Sequence, residues 1–188
     1  MANTTGKKIK DAAIIGGCAS LIYLTIGDIS YRLSLSRGGL NSKLITDMVA
    51  KSAAKKPKNE YKEKLDSMID DGADWFMHQD TEKIIIEKKH RQSLYADLIR
   101  PDKPSNVYII CIHGYTSSPA NMGIYAKKYH ELGYNVLLPS LRGHGDSEQD
   151  FITMGWNDRL DVIEWINYIA ERHPESNIIL HGVSMGAA

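Results

Sequence analysis

The residues best suited to do chemistry form the motif Gly182-Val183-Ser184-Met185-Gly186, a G-x-S-x-G pattern. It follows the apolar run 178–180, which predicts a buried strand. A serine between two glycines directly after a strand is typical of a sharp turn that presents the hydroxyl. The glycines allow the backbone to approach closely there. Ser184 is therefore the candidate nucleophile for acyl transfer.

A serine hydroxyl becomes a good nucleophile only when a histidine base, oriented by a carboxylate, removes its proton. Three of the seven histidines lie near the relevant motifs, namely His113, His144 and His181. For His113 and His144 we favour hydrogen bonding that shapes a loop. His181 directly precedes the G-x-S-x-G motif, and its side chain is expected to point away from Ser184. None of the three is a good candidate for the base.

The elements that must position these residues are strands alternating with helices. Apolar runs predict strands at 84–86, 93–99, 107–112, 135–138 and 178–180, with a hairpin turn at Arg91-Gln92. Helical spacing predicts helices at 121–132 and 156–172. This alternation predicts an α/β fold with a mostly parallel sheet and flanking helices.

The N-terminal region has the pattern of a targeting segment. Three lysines, Lys7, Lys8 and Lys10, precede the sixteen uncharged residues 12–27. This predicts a signal peptide or a short transmembrane anchor, although a spanning helix needs about 20 apolar residues. No clear A-x-A site follows, which favours an uncleaved anchor with the rest of the chain outside the cytoplasm. A secreted protein and a buried amphipathic helix are the alternatives.

The spacing of apolar residues in 41–80 predicts helices, which a lysine-rich break at 51–58 interrupts. Those lysines suit a solvated linker better than a membrane contact. We predict an anchor or signal segment at 1–40, a helical spacer at 41–80 and the catalytic domain from 81 to 188.

Composition excludes several classes of partner. The 23 basic and 23 acidic residues balance, so no nucleic-acid partner is expected. Cys18 and Cys111 fit neither a disulfide nor a metal site. No G-x-G-x-x-G or P-loop pattern follows the early strands, which disfavours a Rossmann-type phosphate site. We expect no cofactor and no metal.

From residue 84 onward the chain resembles the first half of an α/β-hydrolase. His113-Gly114-Tyr115 resembles the HG loop of that family, and Arg142-Gly143-His144-Gly145-Asp146-Ser147 is similar to its RGHGxS loop. The G-x-S-x-G motif completes the set in the family's order. The resemblance is to esterase, lysophospholipase-like and serine aminopeptidase-like members, and further to membrane-anchored or secreted hydrolases of Gram-positive bacteria.

The resemblance implies roles for these residues. In this fold the backbone amide after the nucleophile and one from the loop after the third strand form the oxyanion hole, which here are those of Met185 and Tyr115. The remaining motif residues support these loops: His113, Gly114, Arg142, Gly143, His144, Gly145, Gly182 and Gly186. The family's acid and histidine follow the nucleophile in chain order, whereas Asp146 and Asp158 suit loop and helix-start positions better.

Because nothing follows Ala188, we expect an incomplete, inactive chain without the triad acid and histidine, and an exposed apolar edge at 178–180. The whole protein is expected to be a membrane-anchored serine hydrolase of small-molecule esters or lipid-like acyl groups. A serine peptidase of the aminopeptidase type and a non-catalytic scaffold remain as alternatives.

Overall fold

The computed structural model describes residues 2–37, 59–90 and 92–188, so the predicted lysine-rich break at 51–58, the part of the predicted spacer before it and Arg91 lie outside the described residues. Within those ranges the helices are α1 (Ala2–Leu35), α2 (Glu60–Met77), α3 (Gly123–Glu131) and α4 (Asp158–Arg172). The strands are β1 (Glu82–Ile86), β2 (Leu94–Ile99), β3 (Val107–Ile112), β4 (Asn135–Ser140) and β5 (Asn177–Gly182). Short 3-10 helices cover Pro119–Met122 and Ser184–Ala187.

The five strands form one sheet in the order β1-β2-β4-β3-β5. β2 pairs antiparallel with both β1 and β4, whereas β3 pairs parallel with both β4 and β5. The sheet is therefore mixed: β1, β3, β4 and β5 run in one direction, and β2 runs in the opposite direction. β1 ends at Ile86 and β2 begins at Leu94, so the connection is too short for a helical crossover and the pairing is antiparallel, while the helical crossovers between β3, β4 and β5 allow parallel pairing.

Helices cover both faces of the sheet. On one face, Trp165 and Ile169 of α4 pack with Ile110 and Leu137. On the other, Phe76 of α2 and Ala126 of α3 belong to a second buried cluster; its strand members are Ile99, Ile109, Cys111, Val136 and Leu138. β3 and β4 are buried on both sides, as their nearly continuous apolar sequence requires.

α2 lies within the stretch predicted as a spacer and crosses α3 at two glycines. A Cβ atom on Gly72 would lie 2.3 Å from the backbone nitrogen of Ile124, and one on Gly123 would lie 2.0 Å from the carbonyl oxygen of Gly72. Only glycine permits this approach of the two backbones. The contact seats the C-terminal end of α2, with Phe76, over the sheet.

β5 is the last strand of the sheet in the described part of the chain. Ile179 and Leu180 are 46% and 51% exposed. The expected exposed apolar edge is therefore present, and it leads directly into Ser184.

α1 contains the uncharged residues 12–27, and several of its apolar side chains from Ile14 onward are exposed. Leu21 and Tyr23 are 67% and 78% exposed, so the described residues do not bury this part of the helix. In the ranges that the structure describes, no helix is both long and apolar enough to cross a membrane. This finding does not support the transmembrane helix that the sequence led us to expect.

Candidate active site

Ser184 is the first residue of the 3-10 helix that follows β5, at the sharp turn where the strand ends, with φ at +55°. A residue with a Cβ pays about 1–2 kcal/mol in this left-handed region, so the surroundings must fix it. The Val183 amide donates to Ile112 O at 3.0 Å and the Gly186 amide to Val183 O at 3.0 Å. Met185 is buried while Ser184 is exposed. The turn therefore holds the serine side chain at the surface.

The two glycines of the motif are required by close backbone contacts. A Cβ on Gly182 would lie 2.1 Å from Gly186 O. A Cβ on Gly186 would lie 2.4 Å from Ile112 O and 2.5 Å from His113 O. Backbone oxygens cannot move aside as a flexible side chain can, so larger residues would displace the turn itself.

The loop after β3 lies against this turn. β3 and β5 are parallel neighbours with Ile112 opposite Gly182, so their carboxyl ends meet at one edge of the sheet. A Cβ on Gly114 would lie 3.2 Å from the Cβ of Ser184. The chain after Gly114 continues into Tyr115. The structure thus brings together the two backbone segments that contain the predicted oxyanion donors, Tyr115 and Met185, whose catalytic role stays a prediction.

Both ring nitrogens of the buried His113 are engaged. Nδ1 donates to Gly114 O at 2.9 Å, and Nε2 accepts from the Leu141 amide at 3.1 Å. Burial lowers the pKa of His113 from 6.5 to about 4, so the ring is neutral near pH 7. His113 therefore ties the loop after β3 to the loop after β4, and it has no free nitrogen with which to accept a proton from a serine.

His144 links the same two loops from the other side. Its Nε2 accepts from the Thr116 amide at 3.1 Å, and its Nδ1 donates to Arg142 O at 2.8 Å. Burial lowers the pKa of this histidine also. The ring packs edge-on against His113 with centroids 4.9 Å apart. Both ring nitrogens of His144 are thus engaged in hydrogen bonds that hold these loops.

The loop after β4 is fixed by buried ion pairing. Arg142 donates two hydrogen bonds to Asp161 of α4, Nε to Oδ2 at 2.7 Å and a terminal nitrogen to Oδ1 at 2.9 Å. This pairing raises the pKa of Arg142. The buried Asp158 accepts from the Arg142 amide at 3.2 Å, from Thr153 Oγ1 at 2.6 Å and from the Gly155 amide at 2.9 Å. Both carboxylates serve the structure of the loop.

The glycines of this loop adopt conformations that other residues rarely take. Gly143 and Gly145 have φ of +72° and +48°. A Cβ on Gly145 would lie 2.7 Å from Ser140 Oγ. Ser147 Oγ accepts from the Gly143 amide at 3.2 Å and closes the loop. Lys83 of β1 forms an ion pair with Asp146, with its Nζ 3.1 Å from Oδ2 of the carboxylate.

His181 faces α3 and is engaged there. Its Nδ1 is 2.7 Å from the hydroxyl of Tyr129, and its ring centroid is 4.4 Å from that of Tyr125. Within residues 2–37, 59–90 and 92–188, the Ser184 hydroxyl makes no hydrogen bond to a histidine. The described residues thus contain the candidate nucleophile and its backbone surroundings, and the histidines near it are hydrogen-bonded to other groups.

Comparison with solved structures places this geometry among known enzymes. An esterase of Pyrococcus furiosus superposes with a TM-score of 0.53 and 29% sequence identity, over 60% of this chain and 44% of the esterase. The family model described as serine aminopeptidase, S33, matches residues 103–188, which contain all three motif loops. Over these residues the chain is therefore similar to members of the α/β-hydrolase superfamily. The chain has the mixed five-stranded sheet and flanking helices described above.

Two curated proteins from Bacillus are similar to this chain. A thermostable monoacylglycerol lipase of a Bacillus sp. is 33% identical over 81 residues, which are 43% of this chain and 32% of the lipase. The uncharacterized protein YqkD of Bacillus subtilis is 29% identical over 113 residues, 60% of this chain and 37% of that protein. The chain spans about a third of the length of the curated relatives it matches.

Several residues that shape the site carry no signal in the sequence motifs. Asp161 is one helix position among several acidic residues, yet it is the partner of Arg142. Thr116 adopts φ of +55° without being a glycine. Arg37, just after the end of α1, reaches the loop after β4 across more than a hundred residues of sequence. Such long-range contacts depend on tertiary folding and leave no local pattern.

Proposed function

We propose that Ser184 is the nucleophile of a serine hydrolase that cleaves carboxylic esters through an acyl-serine intermediate. The observation that carries the proposal is the exposed Ser184, held at φ of +55° beside the loop after β3. A protein retains such backbone strain only where its surroundings enforce it, and strained residues cluster at functional sites.

The reaction follows from these groups. Ser184 Oγ attacks the ester carbonyl carbon while a general base takes its proton, and the carbonyl oxygen gains the negative charge. The amides of Tyr115 and Met185 stabilise that oxyanion. The bond to the leaving alcohol breaks as the alkoxide receives the proton, and water then releases the acid by the same steps. Losing one oxyanion donor typically lowers the rate by about 10² to 10³.

The base and its carboxylate belong, in this proposal, to the part of the whole protein beyond these 188 residues. Two observations support this. His113, His144 and His181 are hydrogen-bonded away from Ser184, and the matched relatives are about three times as long as the segments they share with this chain. The chain order of nucleophile, acid and histidine in this fold agrees with it.

The relatives named for monoacylglycerol and ester hydrolysis support an ester substrate with an acyl chain, whereas the description of the family model favours a peptidase as the second candidate. The test supplies the whole protein with monoacylglycerols, p-nitrophenyl esters and aminoacyl p-nitroanilides. We expect turnover of the esters that Ser184→Ala abolishes. Turnover of the anilides alone would favour the peptidase. No turnover of any of them by a folded protein would favour the scaffold.

For localisation we propose that α1 holds the hydrolase at the outer surface of the cell membrane. The support is the row of exposed apolar side chains along α1, including Leu21 and Tyr23, in a stretch free of charge. Apolar area of this kind gains about 25 cal/mol per Å² when it leaves water. The test is flotation of the whole protein with lipid vesicles. We expect co-flotation that Leu21→Asp with Leu24→Asp abolishes; wild-type protein left at the bottom would refute the proposal.

A further inference from the structure

The C-terminal end of α1 is bonded to the loop that follows the RGHGDS sequence. The Ile152 amide donates to Leu35 O at 2.7 Å, and the Arg37 amide donates to Asp150 O at 2.7 Å. Ser36 and Phe151 form an antiparallel bridge between these two contacts. The segment 34–37 thus lies along the rim of the candidate active site.

The guanidinium of Arg37 adds a second attachment. It donates to the carbonyl oxygen of Gly145 at 2.6 Å and to that of Ser147. These carbonyls belong to the glycine-rich loop, just after His144. A guanidinium is a rigid fork of charged donors, and hydrogen bonds from a charged donor are stronger than neutral ones. Arg37 therefore braces the stretch of the loop that follows His144.

His144 connects the loop that Arg37 braces to the loop after β3. Its Nε2 accepts from the amide of Thr116, which has φ of +55°. A β-branched residue in this region is a true outlier and needs outside support. Thr116 directly follows Tyr115. The bond from His144 therefore determines the backbone on one side of the candidate oxyanion donor.

Tyr115 itself is held by the same N-terminal segment. Its hydroxyl donates to the carbonyl oxygen of Ser34. The candidate oxyanion residue is thus fixed through its side chain by Ser34, and through its neighbour Thr116 by His144 and the loop that Arg37 braces. Both attachments lead back to residues 34–37.

We infer that residues 34–37 are a structural part of the active site and that Arg37 is a positioning residue for the oxyanion amide of Tyr115. The inference rests on the proposed function of Ser184. It assigns the end of α1 a role in catalysis as well as in localisation. Arg37 touches no substrate; it acts through the loop 143–147.

The test compares Arg37→Ala, Arg37→Lys and Arg32→Ala in the whole protein. Arg32 is the matched control, because it is an exposed arginine in the last turn of α1, close to Arg37 in sequence, and is paired with Asp28 at 2.8 Å and not with the loop. For Arg37→Ala we expect kcat to fall about tenfold with KM unchanged, since a displaced oxyanion donor weakens transition-state binding more than substrate binding. Arg37→Lys should recover part of the loss, and Arg32→Ala should match wild type.

A second measurement follows the chain of contacts without catalysis. Hydrogen exchange of the Thr116 amide should be about tenfold faster in Arg37→Ala than in wild type or Arg32→Ala, because the His144 acceptor is less well fixed. If Arg37→Ala does not fold, Tyr115→Phe removes only the bond to Ser34, and we expect a fall in kcat at constant KM.

The outcomes separate the two proposals. An inactive wild-type enzyme would refute the proposed function and this inference with it. An active wild type with an equally active Arg37→Ala variant would refute the inference alone, as would a loss confined to KM or an identical loss in Arg32→Ala.

Discussion

The strained backbone of Ser184 makes a prediction about stability that is separate from activity. Ser184→Ala and Ser184→Gly both remove the hydroxyl, and both should abolish hydrolysis. They differ in the backbone, because alanine must keep φ of +55° against its Cβ whereas glycine adopts that angle freely. We therefore expect Ser184→Gly to be the more stable of the two variants.

The magnitude follows from two opposing contributions. A left-handed residue with a Cβ costs about 1–2 kcal/mol, which glycine recovers. Glycine also gives the unfolded chain more freedom, which costs about 0.5–1 kcal/mol relative to alanine. With the middle of each range, the net difference in the free energy of unfolding is about 0.75 kcal/mol in favour of Ser184→Gly.

Urea unfolding of the whole protein, followed by circular dichroism, measures this difference. Ser176 is the matched control, because it lies in a turn without a positive φ. There the alanine variant should be the more stable one, so the order of the two variants reverses between positions 184 and 176. If Ser184→Gly is no more stable than Ser184→Ala, the turn is not strained and the reasoning fails.

Three further predictions concern the supports of the site. Gly186→Ala places its Cβ 2.4 Å from Ile112 O and should abolish activity. The control is Gly133→Ala, at φ of +81° with open space around it, which should cost about 1 kcal/mol of stability and leave kcat unchanged. Equal activity in the two variants would contradict the account. Because the pKa of His113 is lowered from 6.5 to about 4, its neutral form stabilises the fold fully above pH 6.5, and that contribution, about 3 kcal/mol, is lost as the pH falls towards 4. The loss of stability between pH 7 and pH 4 should therefore be smaller in His113→Gln than in wild type, and identical pH profiles in urea would refute it. Gly72→Ala should force α2 away from α3 and lower the free energy of unfolding by about 1–3 kcal/mol with kcat unchanged; an unaffected urea midpoint would contradict the glycine contact.

Local sequence patterns predicted the strands and helices of residues 84–188 well. The apolar run 107–112 coincides with β3, and the hairpin of β1 and β2 pairs as its short turn requires. The two glycines of the G-x-S-x-G motif, Gly182 and Gly186, lie where backbone contacts leave no room for a Cβ atom. These features are local, so that a few neighbouring residues suffice to specify them.

The features that sequence analysis missed depend on distant parts of the chain. The antiparallel pairing of β2 with β4 makes the sheet mixed, and pairing between non-consecutive strands has no local signal. The uncharged run 12–27 predicted a transmembrane helix, but its sixteen residues are fewer than the about 20 that a spanning helix needs, and charged residues flank it. The described residues contain no helix that is long and apolar enough to cross a membrane. The bonds of Arg37 to Gly145 and Ser147 arise only once α1 ends beside the loop.

The central claim, that the strained turn after β5 presents a reactive serine, is tested most directly by covalent labelling. The whole protein is treated with a fluorophosphonate, and the modified peptide is identified by mass spectrometry. We predict one phosphonylated residue, Ser184, and no labelling of Ser184→Ala. A folded whole protein that stays unlabelled, or that is labelled at a different serine, would contradict the account.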